Sequence, residues 1–400
     1  MTLLDLVLLL VLAAYAVSGL RQGFVTSVLS LAGFLGGGAL AMWTLPAVAD
    51  HWAFLSTSPA LRAAVLVAAV VIVASLGQWL GLVLAHRARS FIKIPLARAV
   101  DGLLGMVVVT VATAVLMWFV AGALRVGGPE PVSRAIARSS VLRVIDEGMP
   151  SGTSGLFASF RQLLDREGFP QVFEGIQAEP IAPVAPPSAA VTQDPDVVRA
   201  AASIVKVTGI AEQCRQVQEG SGFVSAPGQV MTNAHVVAGL RTVSVQVGGR
   251  GRTYAGRVVV FDPKRDLAVV QVPGLAAPVL HLGTELSRGD QAVVAGFPGG
   301  GGYSVGAARV RSEMAATGSD IYGQSGTVRR IYSLYATVRP GNSGGPLLST
   351  TGTVDGVVFA RSLDDPLTGY ALTLDEVRPI LDEASTASRP VPTGACVVDG

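Results

Sequence analysis

The chain has 400 residues, half of them hydrophobic and only 14% charged, with a mean hydropathy of +0.51. That balance excludes an ordinary soluble protein and points to membrane-embedded segments. A formal net charge of +2 makes no case for nucleic-acid binding, and two cysteines far apart in sequence do not make a metal site. No metal or phosphate motif appears, so no cofactor is expected.

Four apolar stretches open the chain, at about 3–20, 24–45, 61–85 and 103–124, each near the ~20 residues a spanning helix needs. The first lacks the basic start of a signal peptide. Arg21 lies between the first two stretches, and Asp50 and His51 between the second and third, with no Lys or Arg there until Arg62 at the edge of the third. Arg87, Arg89, Lys93 and Arg98 lie between the last two. Basic loops stay cytoplasmic, so the loops at 21–23 and 86–101 are expected inside a cell (inner) membrane. Both ends of this multi-pass domain then face outward, and everything after residue 125 is periplasmic.

Asp5 and Asp101 read as N-terminal caps on the first and fourth helices, favoured by the helix dipole, ahead of a polar relay. Gly33 and Gly37 suit close helix packing. Asp5, Gly19-x-Arg21-x-Gly23-Phe24 and Asp101-Gly102-x-x-Gly105 resemble the CvpA family of small bacterial membrane proteins. The resemblance implies a topology and little about function.

Ala135–Glu147 and Ser154–Arg166 carry apolar residues at helical spacing and are expected to be amphipathic helices. Ala178 to Ser188 then reads as a proline-rich, accessible spacer, where proteolytic nicking concentrates. From about residue 196 the texture changes to short β-rich runs split by Gly, Pro, Asp and Asn. These include Ser203–Val207, Thr242–Val247, Gly256–Phe261, Leu267–Val272, Gln291–Ala295 and Gly356–Phe359. The spacing predicts an antiparallel barrel or sandwich. The expected organisation is a membrane domain over 1–125, a linker over 126–195 and a β domain over 196–400.

Gly341-Asn342-Ser343-Gly344-Gly345-Pro346 places a serine between glycines, whose amides can turn toward one point. Of the four histidines, His51, His86, His235 and His281, none follows Ser343. An α/β-hydrolase needs its histidine after the nucleophile, so that fold is excluded if Ser343 is the nucleophile. The order His, Asp, Ser is that of the chymotrypsin-type double barrel.

Residues 222–237 read as strand, tight turn, strand, and a short helical turn presenting His235. His281, flanked by apolar residues, reads as a structural histidine on a strand. Asp262, Asp266 and Asp290 lie between His235 and Ser343. Asp266 stands at the mouth of the run Leu267–Val272, where a carboxylate can meet the imidazole, and is favoured over Asp262, which suits a turn before Pro263. Thr232-Asn233-Ala234-His235-Val236-Val237, Asp266-Leu267-Ala268-Val269 and Gly296-Phe297-Pro298-Gly299-Gly300 resemble the trypsin-like proteases of the HtrA branch. In the last segment the likeness is to the stretch between the two barrels.

The resemblance implies an all-β double barrel, a triad of His235, Asp266 and Ser343, and an oxyanion hole from the N–H groups of Gly341 and Ser343. Too few residues follow the expected barrel for the PDZ domain typical of that branch, so none is expected in this sequence. The S1 wall is expected near Thr337–Arg339 and Val357–Phe359, with Asp320, Asp364 and Asp365 the carboxylates that could reach it. An esterase on the same triad, and a membrane sensor or scaffold that only binds peptides, are the competing readings.

Cys214 and Cys396 can form one bridge closing a long loop, contributing roughly 4–5 kcal/mol by loop entropy, if the domain is exported. Four membrane spans joined to such a domain resemble the mycobacterial acid-resistance serine proteases. That resemblance implies a membrane-anchored periplasmic endopeptidase acting on envelope proteins under acid and oxidative stress, with a peptidoglycan hydrolase among its substrates.

Overall fold

The computed structural model describes residues 2–49, 59–89, 94–127, 130–149, 170, 172–173, 178–211 and 216–397. The chain forms two compact units, Met1–Val120 with Ser139–Ile145, and Ala121–Arg138 with Asp146–Gly400.

The first unit is helical: α1 (Leu3–Gln22), α2 (Phe24–Ala49), α3 (Pro59–Arg89) and most of α4 (Pro95–Gly127). Three segments, Leu3–Gln22, Phe24–Ala41 and Leu96–Gly122, are long and apolar enough to cross a membrane. The third expected span contributes only Ile72–Ala85, its earlier side chains lying largely outside the described set. The expectation of four spans is therefore three by this measure among the described residues.

α1 opens on a capping box. Thr2 Oγ1 accepts the Asp5 N–H at 3.2 Å, and Asp5 Oδ2 accepts the Thr2 N–H at 2.7 Å. Asp5 thus sits inside the first turn, with Thr2 as the cap. Asp101 does not cap α4, whose start is Pro95. Its Oδ1 instead accepts the Val25 N–H at 3.1 Å, satisfying an orphan donor of α2, whose first turn has no acid of its own. A Cβ on Gly33 would stand 2.2 Å from the Gly77 carbonyl oxygen, and one on Gly37 2.7 Å from that of Val73. α2 and α3 therefore pack backbone against backbone, as the glycines suggested.

Ala135–Glu147 is not one helix. It divides into α5 (Glu130–Ala137) and α6 (Ser140–Glu147), where Ser139 Oγ accepts the Leu142 N–H at 3.2 Å. The expected helix at Ser154–Arg166 lies outside the described residues.

The second unit holds a short helix, α7 (Pro195–Ala200), and two closed antiparallel barrels. β1 (Ile204–Ala211), β2 (Gln216–Ala226), β3 (Gln229–Thr232), β4 (Val243–Val247), β5 (Thr253–Asp262) and β6 (Leu267–Gln271) close in the order β1-β2-β3-β6-β5-β4. β7 (Gln291–Gly296), β8 (Ser304–Gly318), β9 (Thr327–Tyr335), β10 (Pro346–Leu348), β11 (Val354–Arg361) and β12 (Thr368–Thr373) close as β10-β11-β12-β9-β8-β7.

β-branched residues suit a half-buried pleated surface. Val205, Val207, Val230, Val245 and Val270 are fully buried in the first barrel, as are Val310, Leu334, Leu347, Val358 and Leu372 in the second. Each such side chain contributes about 1.5–3 kcal/mol by leaving water. A C-terminal helix, α9 (Leu374–Thr386), buries Leu374, Val377, Ile380 and Ala384.

Residues 179–188 are not a free spacer. The half-buried Glu179 carboxylate accepts from Ser362 Oγ, from the Leu363 N–H at 3.2 Å and from Tyr370 OH at 2.8 Å. Arg311 donates to the Ala182 carbonyl at 3.0 Å and Arg288 to that of Pro183 at 2.8 Å. Prolines make the segment extended, but its carbonyls and one acid lace it onto the second barrel.

Asp355 on β11 is 1% exposed and, among the described residues, accepts from the Thr284 N–H at 3.1 Å and Thr353 Oγ1 at 3.4 Å. Burial pushes its pKa up to about 6. The folded chain then keeps a proton that the unfolded chain releases near the ordinary carboxylate range. The stability this contributes is present in acid and lost as pH rises through about 6, on the order of 2–3 kcal/mol. Thermal unfolding of the full chain should therefore show a smaller fall between mildly acidic and neutral pH in Asp355→Asn. An identical pH slope in variant and wild type would refute this.

Candidate active site

β3 pairs with β6 so that Thr232 faces Ala268. The residues just beyond β3 therefore meet those just before β6, and this register brings His235 to Asp266. The short helix α8 (Ala234–Val237) follows Asn233 and presents the histidine. His235 Nδ1 lies 2.7 Å from Asp266 Oδ2, and the His235 backbone N–H donates to Asp266 Oδ1 at 2.9 Å. The Asp266 side chain is fully buried, and that of His235 is 10% exposed. A carboxylate so placed selects the tautomer with the proton on Nδ1 and leaves Nε2 free to accept one.

Asp266 has φ of 60°, the one positive value recorded for a non-glycine among the described residues. Such a conformation persists when its surroundings over-determine it. Asn233 Nδ2 donates to the Asp266 carbonyl at 2.7 Å. Asp262 shapes the preceding turn, accepting the N–H groups of Lys264 and Arg265 at 2.9 and 2.8 Å. The two candidate aspartates thus separate: Asp266 faces His235, and Asp262 holds the turn that delivers it.

Ser343 occupies a tight turn ahead of β10. Asn342 N–H donates to the Arg339 carbonyl and Gly345 N–H to that of Asn342, both at 3.0 Å. β11 flanks the turn, with Gly344 N–H donating to the Val358 carbonyl at 2.9 Å. The first barrel reaches the same turn through Ser221 of β2. Its N–H donates to the Ser343 carbonyl at 2.8 Å, and its Oγ donates to the Gly341 carbonyl at 2.6 Å. That Oγ also accepts the Phe297 N–H at 2.9 Å.

Gly299 N–H donates to the Pro340 carbonyl at 2.7 Å, fixing the peptide that carries the Gly341 N–H. At Gly341, φ is 89° and a Cβ would stand 2.3 Å from the Phe297 carbonyl oxygen, so only glycine fits. No backbone acceptor meets the N–H of Gly341 or Ser343 among the described residues. Two unspent donors beside a serine are what a developing oxyanion requires.

Several placements differ from the sequence reading. Gly296-Phe297-Pro298-Gly299-Gly300 is not the connection between the barrels, which runs between β6 and β7. It follows β7 and seats the Gly341 turn, while Lys206 of the first barrel donates to the Gly300 carbonyl. His281 lies outside the barrel strands with an exposed side chain, its carbonyl accepting the Val354 N–H at 2.9 Å.

Asp320 accepts from the N–H groups of Tyr322 and Gln324, Asp364 from that of Glu179, and Asp365 pairs with Arg311. Cys396 is buried and disulfide-bonded, whereas Cys214 lies outside the described residues. Ser221 and Asn233 were missed as organisers. Gly220-Ser221-Gly222 was the available signal, since glycines flanking a serine at a strand centre mark close backbone approach.

Residues 220–357 match the trypsin-like peptidase domain, and residues 4–150 match the Colicin V production protein family. Over 399 residues the chain is 36% identical to serine protease Rv3671c of Mycobacterium tuberculosis H37Rv, covering 98% of each chain. The chain belongs to that family of serine proteases. Serine protease MT3772 of strain CDC 1551 is similar to the same extent, 36% over 98% of each chain. The crystal structure of the Rv3671c protease in its active form is 41% identical with a TM-score of 0.54, covering 57% of this chain and all of that one.

This member of the family is accordingly a serine protease with an apolar helical domain ahead of a chymotrypsin-like double barrel. Ser221→Ala should remove the bridge that holds the Gly341 carbonyl while leaving the His235–Asp266 contact untouched. Losing a buried bridging hydroxyl costs about 1–3 kcal/mol, so peptide hydrolysis should fall about tenfold to a hundredfold. Unchanged kcat/KM in the folded variant would show that the bridge is dispensable.

Proposed function

We propose that Ser343, His235 and Asp266 form the catalytic triad of a membrane-anchored endopeptidase that works through an acyl-enzyme. Ser343 Oγ attacks the peptide carbonyl as His235 Nε2 takes its proton, and Asp266 stabilises the imidazolium. The N–H groups of Gly341 and Ser343 receive the oxyanion. Collapse expels the amine, which takes the proton from His235, and water then releases the acyl group by the same path. The observation that carries this reading is the fully buried Asp266 carboxylate, spent on both the ring and the backbone of His235.

The membrane domain is proposed to span residues 1–125 and the protease 196–400, with the protease periplasmic. The basic loops and the disulfide-bonded state of Cys396, for which Cys214 is the proposed partner, support that side. Because Asp320, Asp364 and Asp365 are committed to other partners, the proposed P1 preference is apolar rather than Arg or Lys. Envelope substrates, including a peptidoglycan hydrolase, and a role in acid and oxidative stress rest on the resemblance to mycobacterial acid-resistance proteases.

A fluorophosphonate should label the full chain, and labelling should vanish in Ser343→Ala and His235→Ala. In Asp266→Asn, kcat should fall roughly 10³- to 10⁴-fold. Self-cleavage ahead of the second unit's barrels should yield a short fragment from wild type and none from Ser343→Ala. Labelling that survives Ser343→Ala would overturn the triad.

A further inference from the structure

Arg329 on β9 is 3% exposed, yet the mechanism above gives it nothing to do. Its Nε donates to the Lys264 carbonyl at 2.6 Å, and its Nη2 to the Ser319 carbonyl at 2.9 Å. The guanidinium carbon stands 5.8 Å from the centre of the Phe359 ring. Lys264 belongs to the β5–β6 turn, two residues before Asp266. An arginine of the second barrel therefore grips the first barrel at the turn that carries the triad carboxylate.

Burying a guanidinium costs several kcal/mol before its partners repay it, and an apolar residue would serve packing as well. Burial lowers the pKa of Arg329, while Asp266, Asp320, Glu376 and Asp262 act in the opposite sense. The charge therefore sits within reach of four carboxylates, one of them the partner of His235. The other anchors of the turn lie elsewhere: Asn233 holds the Asp266 carbonyl, and Arg265 pairs with Asp262 and Glu376 at the rim.

We propose that Arg329 is a positioning residue that holds Asp266 against His235 from across the barrel interface. The inference rests on the triad reading. The paired backbone bonds keep Asp266 in its left-handed conformation, which a freed turn would relax.

The test measures fluorophosphonate labelling and peptide hydrolysis by the full chain over acidic to neutral pH. Its variants are Arg329→Met, Arg329→Gln and Arg329→Lys, with unfolding followed in parallel. Met and Gln keep the stem over Phe359 and remove the charge. Both should slow labelling about tenfold to a hundredfold. Lys, which keeps the charge and a donor for the Lys264 carbonyl, should recover part of that rate. In an Asp266→Asn background, the same substitutions should cause little further loss.

Three folded variants that label at the wild-type rate, or losses that multiply with Asp266→Asn, would overturn the proposal. A merely structural role predicts losses that multiply. If only Lys folds, its coupling to Asp266→Asn decides alone. Labelling that does not depend on Ser343 would remove the triad reading and this inference together. Ser343-dependent labelling unmoved by Arg329 variants removes only the inference.

Discussion

Contact between the two barrels is the constraint on which the site depends. Neither barrel contains the whole arrangement: His235 and Asp266 come from the first, and Ser343 from the second. Ser221 spans the seam with its backbone N–H on Ser343 and its hydroxyl on Gly341. Across the same pair of barrels, Arg329 holds the Lys264 carbonyl. Each bond is modest on its own, but each fixes a peptide whose orientation sets a neighbouring donor or carboxylate. A small shift of one barrel against the other would reach the proposed oxyanion donors and Asp266 at once.

Burial gives these polar contacts their weight. Asp266, Ser221, Thr232 and Asn233 are all fully buried. Polar groups removed from water cost free energy unless paired, so the network resists alternatives in which any member turns away. Glu179 and Asp355 show the same physics with the opposite sign, since burial raises the pKa of both carboxyls. Those two acids favour the folded second barrel more as solution becomes acidic.

Much of the site was legible because its signals are local. Thr232 to Val237 is a strand end followed by a helical turn, as its sequence suggested. Asp266 was separable from Asp262 because it directly precedes an apolar run, whereas Asp262 precedes a proline. The absence of a histidine after Ser343 removed a competing fold from the sequence alone. Legibility failed where partners are distant. Asp101 caps α2 rather than its own helix, and Gly296–Gly300 seats a turn rather than joining barrels. The proline-rich stretch read as a spacer because composition reports extension, and extension does not say what the carbonyls bind.

The sequence by itself determined the membrane-helical and β-rich halves, the histidine-aspartate-serine order and the family, since hydropathy, periodicity and motif spacing act over a few neighbouring residues. Only the tertiary structure decided that Asp266 meets both the ring and the backbone of His235, that Ser221 carries the seam, and that Arg329 reaches across it. Those contacts join residues far apart in the chain. Their geometry follows from strand register and barrel closure, which no local pattern encodes.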